Sequence, residues 1–312
     1  MIIPVYNGEE TVARAIDSVL GQSYPAREIV VVDDGSTDNT ASVVGGYGTA
    51  VRYLKTENRG VAAARNAGAA IATSGWLAFL DADDWYYPQR LEWHAALIES
   101  DPDLDFATGD FEYRDVEGRL LGRSMEATDL GRKLLETAHG GDAVMTEGML
   151  GEFVAKHFGD THTLTVPRQS FAALGGYPTK YQVCEDVHLL IRLCASSKRV
   201  GVVCRPMAVY WIHGESATRR NPIRAQRQTV AALGAVRRSV ADAPTGLKRG
   251  VDRALRAGRR DLAYALLRTG RRAAAVRAVL PLLGTRPLLG AVRDVLSVAR
   301  GFRSAEGEDG SR

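Results

Sequence analysis

Cysteine is scarce in this chain. Cys184, Cys194 and Cys204 are the three among 312 residues, spaced ten apart. That is no metal-ligand spacing, and three thiols make no disulfide framework, so a reducing, cytoplasmic compartment is expected. No stretch of about 18 uninterrupted apolar residues occurs, which argues against a membrane-spanning helix. No basic stretch followed by an apolar core precedes the strand-like opening "MIIPVY", so no signal peptide is expected. Acidic residues are nearly missing from one region. Residues 219–303 hold 20 Lys/Arg against 4 Asp/Glu, a net of +16, whereas residues 1–218 hold 19 against 30, a net of −11. The basic region also lacks interleaved aromatics, so no nucleic-acid partner is expected.

What is present reads as two parts, 1–218 and a basic helical extension 219–303, followed by a disordered tail at 304–312. The first hundred residues alternate strand and helix. "EIVVVDD" is an unbroken β-branched run, as for a strand covered on both faces. "NGEETVARAIDSVLGQ" sets Val12, Ile16, Val19 and Leu20 on one helical stripe, and "PQRLEWHAALIES" is a helix with Pro88 near its first turn. This alternation predicts an α/β fold, a Rossmann-like, mostly parallel sheet with helices on both faces. "DFATGDFEYRD" and "GRLLGRS" form a hairpin around Glu117-Gly118. Residues 125–160 show no clear period and are read as a helix with mobile loops. "RVGVVCRPMAVYWIH" is read as two short strands parted by Pro206, and "CEDVHLLIRLCASS" as a helix opening on acid.

In such sheets ligands bind beyond the carboxyl ends of the strands. Three predicted strands end in polar motifs: Tyr6-Asn7, "DDGSTD" from Asp33 to Asp38, and "DADD" from Asp81 to Asp84. Turns favour Asp and Asn, which is the plain structural reading of any one of them. Three within about eighty residues favour a site. Asp81 and Asp83 suit a hard divalent cation, Mg2+ or Mn2+, delivered with a diphosphate ligand. Asp84 reads as the cap of the helix at Pro88.

"IIPVYN", "VVVDDGSTDNT", "NRGVAAARNAG" and "FLDADDW" together resemble the family 2 glycosyltransferases of the GT-A fold. "LGGYPTKYQVCEDVHLLIRL" is similar to that family's Gly-Gly-aromatic segment and Glu-Asp motif, and "YWIHGES" to its His-containing strand. The resemblance covers about residues 2–218. Two departures stand out. Met1 sits almost on the first motif, so the first strand reads as cut short. Cys184 stands where Gly or another small residue is common, with little consequence expected.

The resemblance implies a nucleotide-diphosphate sugar donor, with Asp34 accepting an N–H of the base. It sets Pro4, Val5, Tyr6 and Asn7 along the nucleotide pocket and Glu9 near the ribose. Asn58, Arg59 and Gly60 lie on an adjoining loop, and Arg65 meets a phosphate. Asp81 faces ribose and metal, Asp83 is the direct metal ligand, and His213 is a further one. Asp186 is the base that takes the acceptor proton, with Glu185 the alternative, and the reaction inverts the anomeric carbon. The implied role is cell-surface glycan or polysaccharide synthesis on a glycan or lipid-linked acceptor. Two other classes stay open: a non-catalytic sugar-nucleotide-binding scaffold, and a nucleotidyltransferase. In the basic tail Val251, Leu255, Leu262 and Leu266 share a stripe. The helix either packs on the first part or lies peripherally on anionic lipid at the inner face of the cell membrane. Pro281 and Pro287 break the most apolar stretch and argue against a span.

Overall fold

The computed structural model describes residues 1–139, 141–214, 221–284 and 288–299. The expected tail at 304–312, Pro287, and Glu215 and Ser216 of the last motif lie outside the described residues.

Strands β1 (Ile2–Val5), β2 (Val30–Asp33) and β3 (Arg52–Lys55) form a parallel sheet in that order. Each has four residues, and β1 is matched along its whole length, Ile2 to Val30 through Val5 to Asp33. The first strand is therefore no shorter than its neighbours. Successive side chains in a strand face opposite ways. Ile3, Val5 and Val31 pack with Val12, Ile16 and Val19 of α1 (Val12–Leu20) and Val44 of α2 (Thr40–Gly45). Ile2 packs instead with Ala62 and Ala69 of α3 (Val61–Ile71), and Val30 and Val32 with Ala64. Both faces are covered, which is why β2 is apolar at consecutive positions. Each such buried Val or Ile contributes about 1.5–3 kcal/mol.

The second sheet runs β4 (Trp76–Ala78), β9 (Thr165–Pro167), β6 (Phe106–Asp115), β10 (Arg199–Ile212), β5 (Trp85–Tyr86). β7 (Leu120–Arg123) pairs with β6, and β8 (Asp142–Thr146) with β10. A parallel bridge between Ile2 and Phe79 and a 3.0 Å bond from the Leu80 N–H to the Ile2 carbonyl join the two sheets. β6 and β10 are parallel, whereas β9, β8 and β5 run antiparallel to their neighbours. The sheet is thus parallel through its first half and mixed beyond. The β6–β7 hairpin turns at Gly118, as expected. α4 (Arg90–Ser100) follows the acidic turn, and its N-cap is Gln89 rather than Asp84.

Two stretches differ from their sequence reading. Residues 125–160 hold two helices, α5 (Asp129–Ala138) and α6 (Glu147–Ala155), with β8 between them. They supply Met125, Leu130, Leu134, Met145, Leu150 and Phe153 to the main core. Glycines 148 and 151 interrupt the apolar pattern of α6 and hide its period. β10 is one strand of 14 residues; Pro206 lies where its register against β6 shifts, and such a bulge tolerates a residue without an N–H.

α7 (Arg168–Ala173) and α8 (Glu185–Ser196) flank the Gly175-Gly176 turn. The basic region forms α9 (Pro222–Ser239), α10 (Thr245–Arg268), α11 (Arg272–Val279) and α12 (Leu288–Ala299). The stripe of α10 is spent inside the protein. Val251 joins the main core with Leu247, and Leu262 and Leu266 pack with Ala275, Val279 and Leu282. α10 touches α6 backbone to backbone: a methyl group at Gly250 would overlap the Gly151 carbonyl, and one at Gly151 the Gly246 carbonyl. Among the described residues no helix is long and apolar enough to cross a membrane.

Candidate active site

The strand ends open on a cleft of about 1030 Å³. Pro4, Val5, Tyr6, Asn7, Glu9, Asp34, Arg65, Asp81, Asp83, Glu185, Asp186 and His213 all line it. Asn58, Arg59 and Gly60 do not. They stand behind Asp34, whose carboxylate oxygens accept the Arg59 N–H at 2.9 Å and the Gly60 N–H at 2.7 Å. Gly35 makes this approach feasible. Its φ is +80°, and a Cβ there would lie 2.9 Å from the Asn58 nitrogen.

The edge of the cleft beyond β1 and β2 is locked by side chains bonding to backbone. Asn7 takes a left-handed conformation, φ +49°, which Asn tolerates better than most residues. Its N–H donates to Ser36 Oγ and its Oδ1 accepts the Thr37 N–H, each at 2.9 Å. Glu9 accepts the Asn39 N–H at 2.8 Å, so part of its carboxylate already serves the start of α2. Asp33 is buried, and burial alone would raise its pKa. Donation from Ser36 and the Tyr53 hydroxyl outweighs that, and the pKa is lowered.

The acidic turn after β4 meets several cations. Arg65, fully buried on α3, donates to Asp81 at 2.6 and 2.8 Å and to Glu185 at 2.9 Å, with Tyr177 under its guanidinium. In this structure Arg65 forms a carboxylate bridge between two walls of the cleft. Asp83 accepts from His213 Nε2 at 2.9 Å, and His213 stacks on Trp211. Asp84 is buried and accepts the Trp211 N–H at 2.9 Å. It pins the end of β10, the strand that leads into His213, and does not cap α4. Burial, with Asp83 and Asp81 beside it, holds the Asp84 carboxyl well above its usual range.

Among the described residues no three His, Cys, Asp or Glu side chains converge as a metal-holding group. Of the three expected ligands, Asp83 and His213 come together at the cleft surface, and Asp81 is turned to Arg65. One carboxylate and one imidazole fit a cation that takes its remaining ligands from water and a diphosphate.

At the opposite wall α8 begins with Glu185 and Asp186 after Cys184. Cys184 has φ +69°, a conformation that favours glycine, so its substitution there is not neutral for the backbone. Burial and the neighbouring Asp186 push Glu185 up to about 7, against the pull of Arg65. Burial and Asp160 push Asp186 up to about 8. α3 holds this wall in place. The Asn66 side chain grips Tyr177 through both backbone groups at 2.8 Å, and Arg192 donates to the Leu174 and Gly176 carbonyls.

Several residues in or beside the cleft escape a sequence reading. Arg14 donates to the Asp83 carbonyl at 2.6 Å and lies between the rings of Trp85 and Trp211. Asp160 and His162 enter from a stretch without clear period. A Gly-Asp-Thr-His run between apolar segments was the available signal.

A family model described as "Glycosyl transferase family 2" matches residues 1–167. An uncharacterized glycosyltransferase of Rickettsia felis is 40% identical over 124 residues, covering 39% of this chain and 21% of the relative. The uncharacterized glycosyltransferase YibD of Escherichia coli is 35% identical over 120 residues, 37% of this chain and 35% of the relative. The matched part of the chain thus spans only about a fifth to a third of these curated relatives. Residues 1–349 of S. aureus TarS superpose with a TM-score of 0.64 at 17% identity, covering 96% of this chain and 88% of that one. The mannosyltransferase PcManGT from Pyrobaculum calidifontis gives 0.60 at 20% identity, with 96% and 84% covered. At these identities the two structures speak for the fold alone.

Proposed function

The chain belongs to glycosyl transferase family 2, and we propose that it moves a sugar from a nucleotide-diphosphate sugar to an acceptor hydroxyl with inversion. The observation that carries this reading is one cleft with a rigid nucleotide edge on one side and Asp186, its pKa raised, on the other. TarS has been solved with UDP and with UDP-GlcNAc, and PcManGT with GDP-Man and Mn2+, which favours such a donor here.

Asp34 keeps lone pairs for an N–H of the base, since each oxygen accepts one backbone donor. Pro4 to Asn7 flank that base, and Glu9 and Asp81 lie towards the ribose. Asp83 and His213 would hold Mg2+ or Mn2+. When bound, the ion offsets the charge that builds on the departing diphosphate. Asp186 removes the proton from the acceptor hydroxyl as that oxygen attacks from the face opposite the leaving group. Glu185 shapes the wall by holding Arg65. The acceptor is a glycan or lipid-linked sugar of the cell surface. The +16 charge of residues 219–303 supports reversible contact with anionic membrane lipid, through arginines rather than through the apolar stripe of α10.

A thermal-shift screen of UDP- and GDP-sugars, with and without Mn2+, tests the donor. A ligand at about a hundred times its Kd should add about 2.7 kcal/mol of stability. The stabilising sugar nucleotide should then release nucleoside diphosphate on adding acceptor. Release of pyrophosphate would make the protein a nucleotidyltransferase. Binding without turnover of any acceptor would make it a scaffold, and full activity in excess chelator would remove the metal.

A further inference from the structure

We propose that the hollow between α9 and the start of α11 is a phosphate subsite, and that the phosphate it takes is carried by the acceptor. The second half of the proposal rests on the reading of the main cleft as the place of sugar transfer.

The hollow has a volume of about 380 Å³ and lies apart from the main cleft. Arg224 and Arg227 of α9 and Arg271, just before α11, line it together with Ile223 and Ala231. Among the described residues no carboxylate lines it. Arg224 donates to the neutral Gln182 side chain at 2.8 Å. Among the described residues no carboxylate pairs with Arg227 or Arg271, whereas elsewhere in the basic region Arg237 meets Asp252 and Arg256 meets Asp294. A basic face that only keeps a helix in water spreads its charges along it. Here guanidinium groups from two separate helical segments converge on one concavity without a counter-charge. Such a concavity focuses positive potential and draws an anion. The planar guanidinium fork matches two oxygens of a phosphate at once, which makes phosphate the anion these side chains suit best.

The hollow is tied to the cleft by direct bonds. Gln228 Oε1 accepts the Gln182 N–H at 2.7 Å and the Val183 N–H at 3.2 Å. Gln182 and Val183 lead through Cys184 into Glu185 and Asp186, and all five line the cleft. Thr229, the next residue on α9, lines the cleft as well. From Arg224 to Thr229 the helix advances about 7.5 Å along its axis. A molecule that presents a hydroxyl to Asp186 is therefore within reach of the arginines with a phosphate a short way along its length. In the donor reading both donor phosphates belong on the Asp83 and His213 side of the cleft. A phosphate at α9 is thus a further one, and it belongs to the acceptor. It takes no part in bond making. It anchors the acceptor so that a sugar hydroxyl lies at the far wall. A lipid phosphate and a phosphate on a soluble glycan offer the arginines the same chemistry.

The test uses wild type and the double variant Arg227→Gln/Arg271→Gln. Both side chains are exposed and neither makes the Gln182 contact, so the variant should fold. Inorganic phosphate is exchanged for chloride at constant ionic strength and the melting temperature is followed. Phosphate stabilises proteins in general, so the measure is the excess in wild type over the variant, which should be positive. The KM for a sugar acceptor bearing a phosphate should rise roughly 10–100-fold in the variant, two charge-assisted contacts being lost. Its kcat, its donor affinity and its KM for the same acceptor without phosphate should change little. Two further arms separate the sources. A preference for phosphatidylcholine vesicles doped with a long-chain alkyl phosphate over those doped with a long-chain carboxylate, lost in the variant, would mark a lipid phosphate. Binding of a soluble sugar phosphate without that preference would mark a soluble glycan. An equal phosphate effect in both proteins would overturn the subsite. A KM that rises equally with and without the acceptor phosphate would overturn its assignment to the acceptor. A phosphate effect lost in the variant, with no sugar transfer by wild type to any acceptor, would instead sink the transfer reading and leave the subsite standing.

Discussion

At the nucleotide edge Asp33 accepts from Ser36 and Tyr53, Asp38 from Thr40, and Asp34 from the Arg59 and Gly60 N–H groups. At the far wall Glu185, Asp186 and Asp160 lie close together, and Arg65, which pairs with Glu185, is shared with Asp81. Asp33 and Asp38 are held ionised: burial opposes both, yet hydrogen bonds bring both pKa values down. The second set is held basic: burial and Asp186 push Glu185 up to about 7, and burial and Asp160 push Asp186 up to about 8. Donor count, not residue type, separates a carboxylate that grips from one that can take a proton near neutral pH.

The contrast breaks most completely at Asp186. Asp186→Asn should lose roughly 10²–10⁴-fold in transfer rate while binding donor normally, as single-turnover kinetics beside thermal shift would record. Glu185→Gln should lose less; the reverse order would exchange their roles. The next effect is on stability. Arg65→Met leaves Asp81 and Glu185 without their shared cation and should cost about 3–5 kcal/mol in urea unfolding. Adding Glu185→Gln should restore part of it.

The two ends also predict opposite pH responses. Glu185 and Asp186 have folded pKa values above their unfolded values, so the folded state binds the extra protons. Their contribution is fully present below about pH 4 and is lost as pH rises through about 7 and about 8. Asp33 and Asp38 are lowered, so theirs is present above the unfolded value and is lost only as pH falls below it. Melting curves should show stability declining by on the order of 1–3 kcal/mol between pH 5 and 8, a pKa unit being worth about 1.4. A flatter decline in Asp186→Asn would assign it to that residue; an unchanged one would not. The smallest expected effect is at Asp34. Asp34→Asn loses a charge-assisted acceptor for the base and should weaken donor binding by about tenfold, about 1.4 kcal/mol, with kcat nearly preserved. Isothermal titration would check it, and a fall confined to kcat would contradict the role.

The nucleotide edge was readable because its causes are local. A β-branched run, a polar strand end and a small-residue helix lie within thirty residues of one another, and the sheet lines them up. The far wall was only half readable. Glu185 and Asp186 announce a helix start, but Arg65 reaches Glu185 from 120 residues away. Nothing in the helix period of α3 says that its arginine reaches Asp81 and Glu185. Asp160 was hidden because two glycines blur α6 just before it. Pro206 misled because a strand end and a bulge look alike in one sequence, and only the partner strand tells them apart.

The bare backbone contact of Gly151 with Gly246 and Gly250 has a consequence for how such proteins can be recombined. α6 ends at Ala155, five residues before Asp160, so the helix that α10 presses on also sets where that carboxyl group stands. The basic end is therefore not an interchangeable address label. Joined to another member's catalytic half, it would seat only where that half also offers a glycine on the facing turn. A mismatch of one methyl group there would be felt in the wall that carries Asp160 rather than at the surface where the arginines lie.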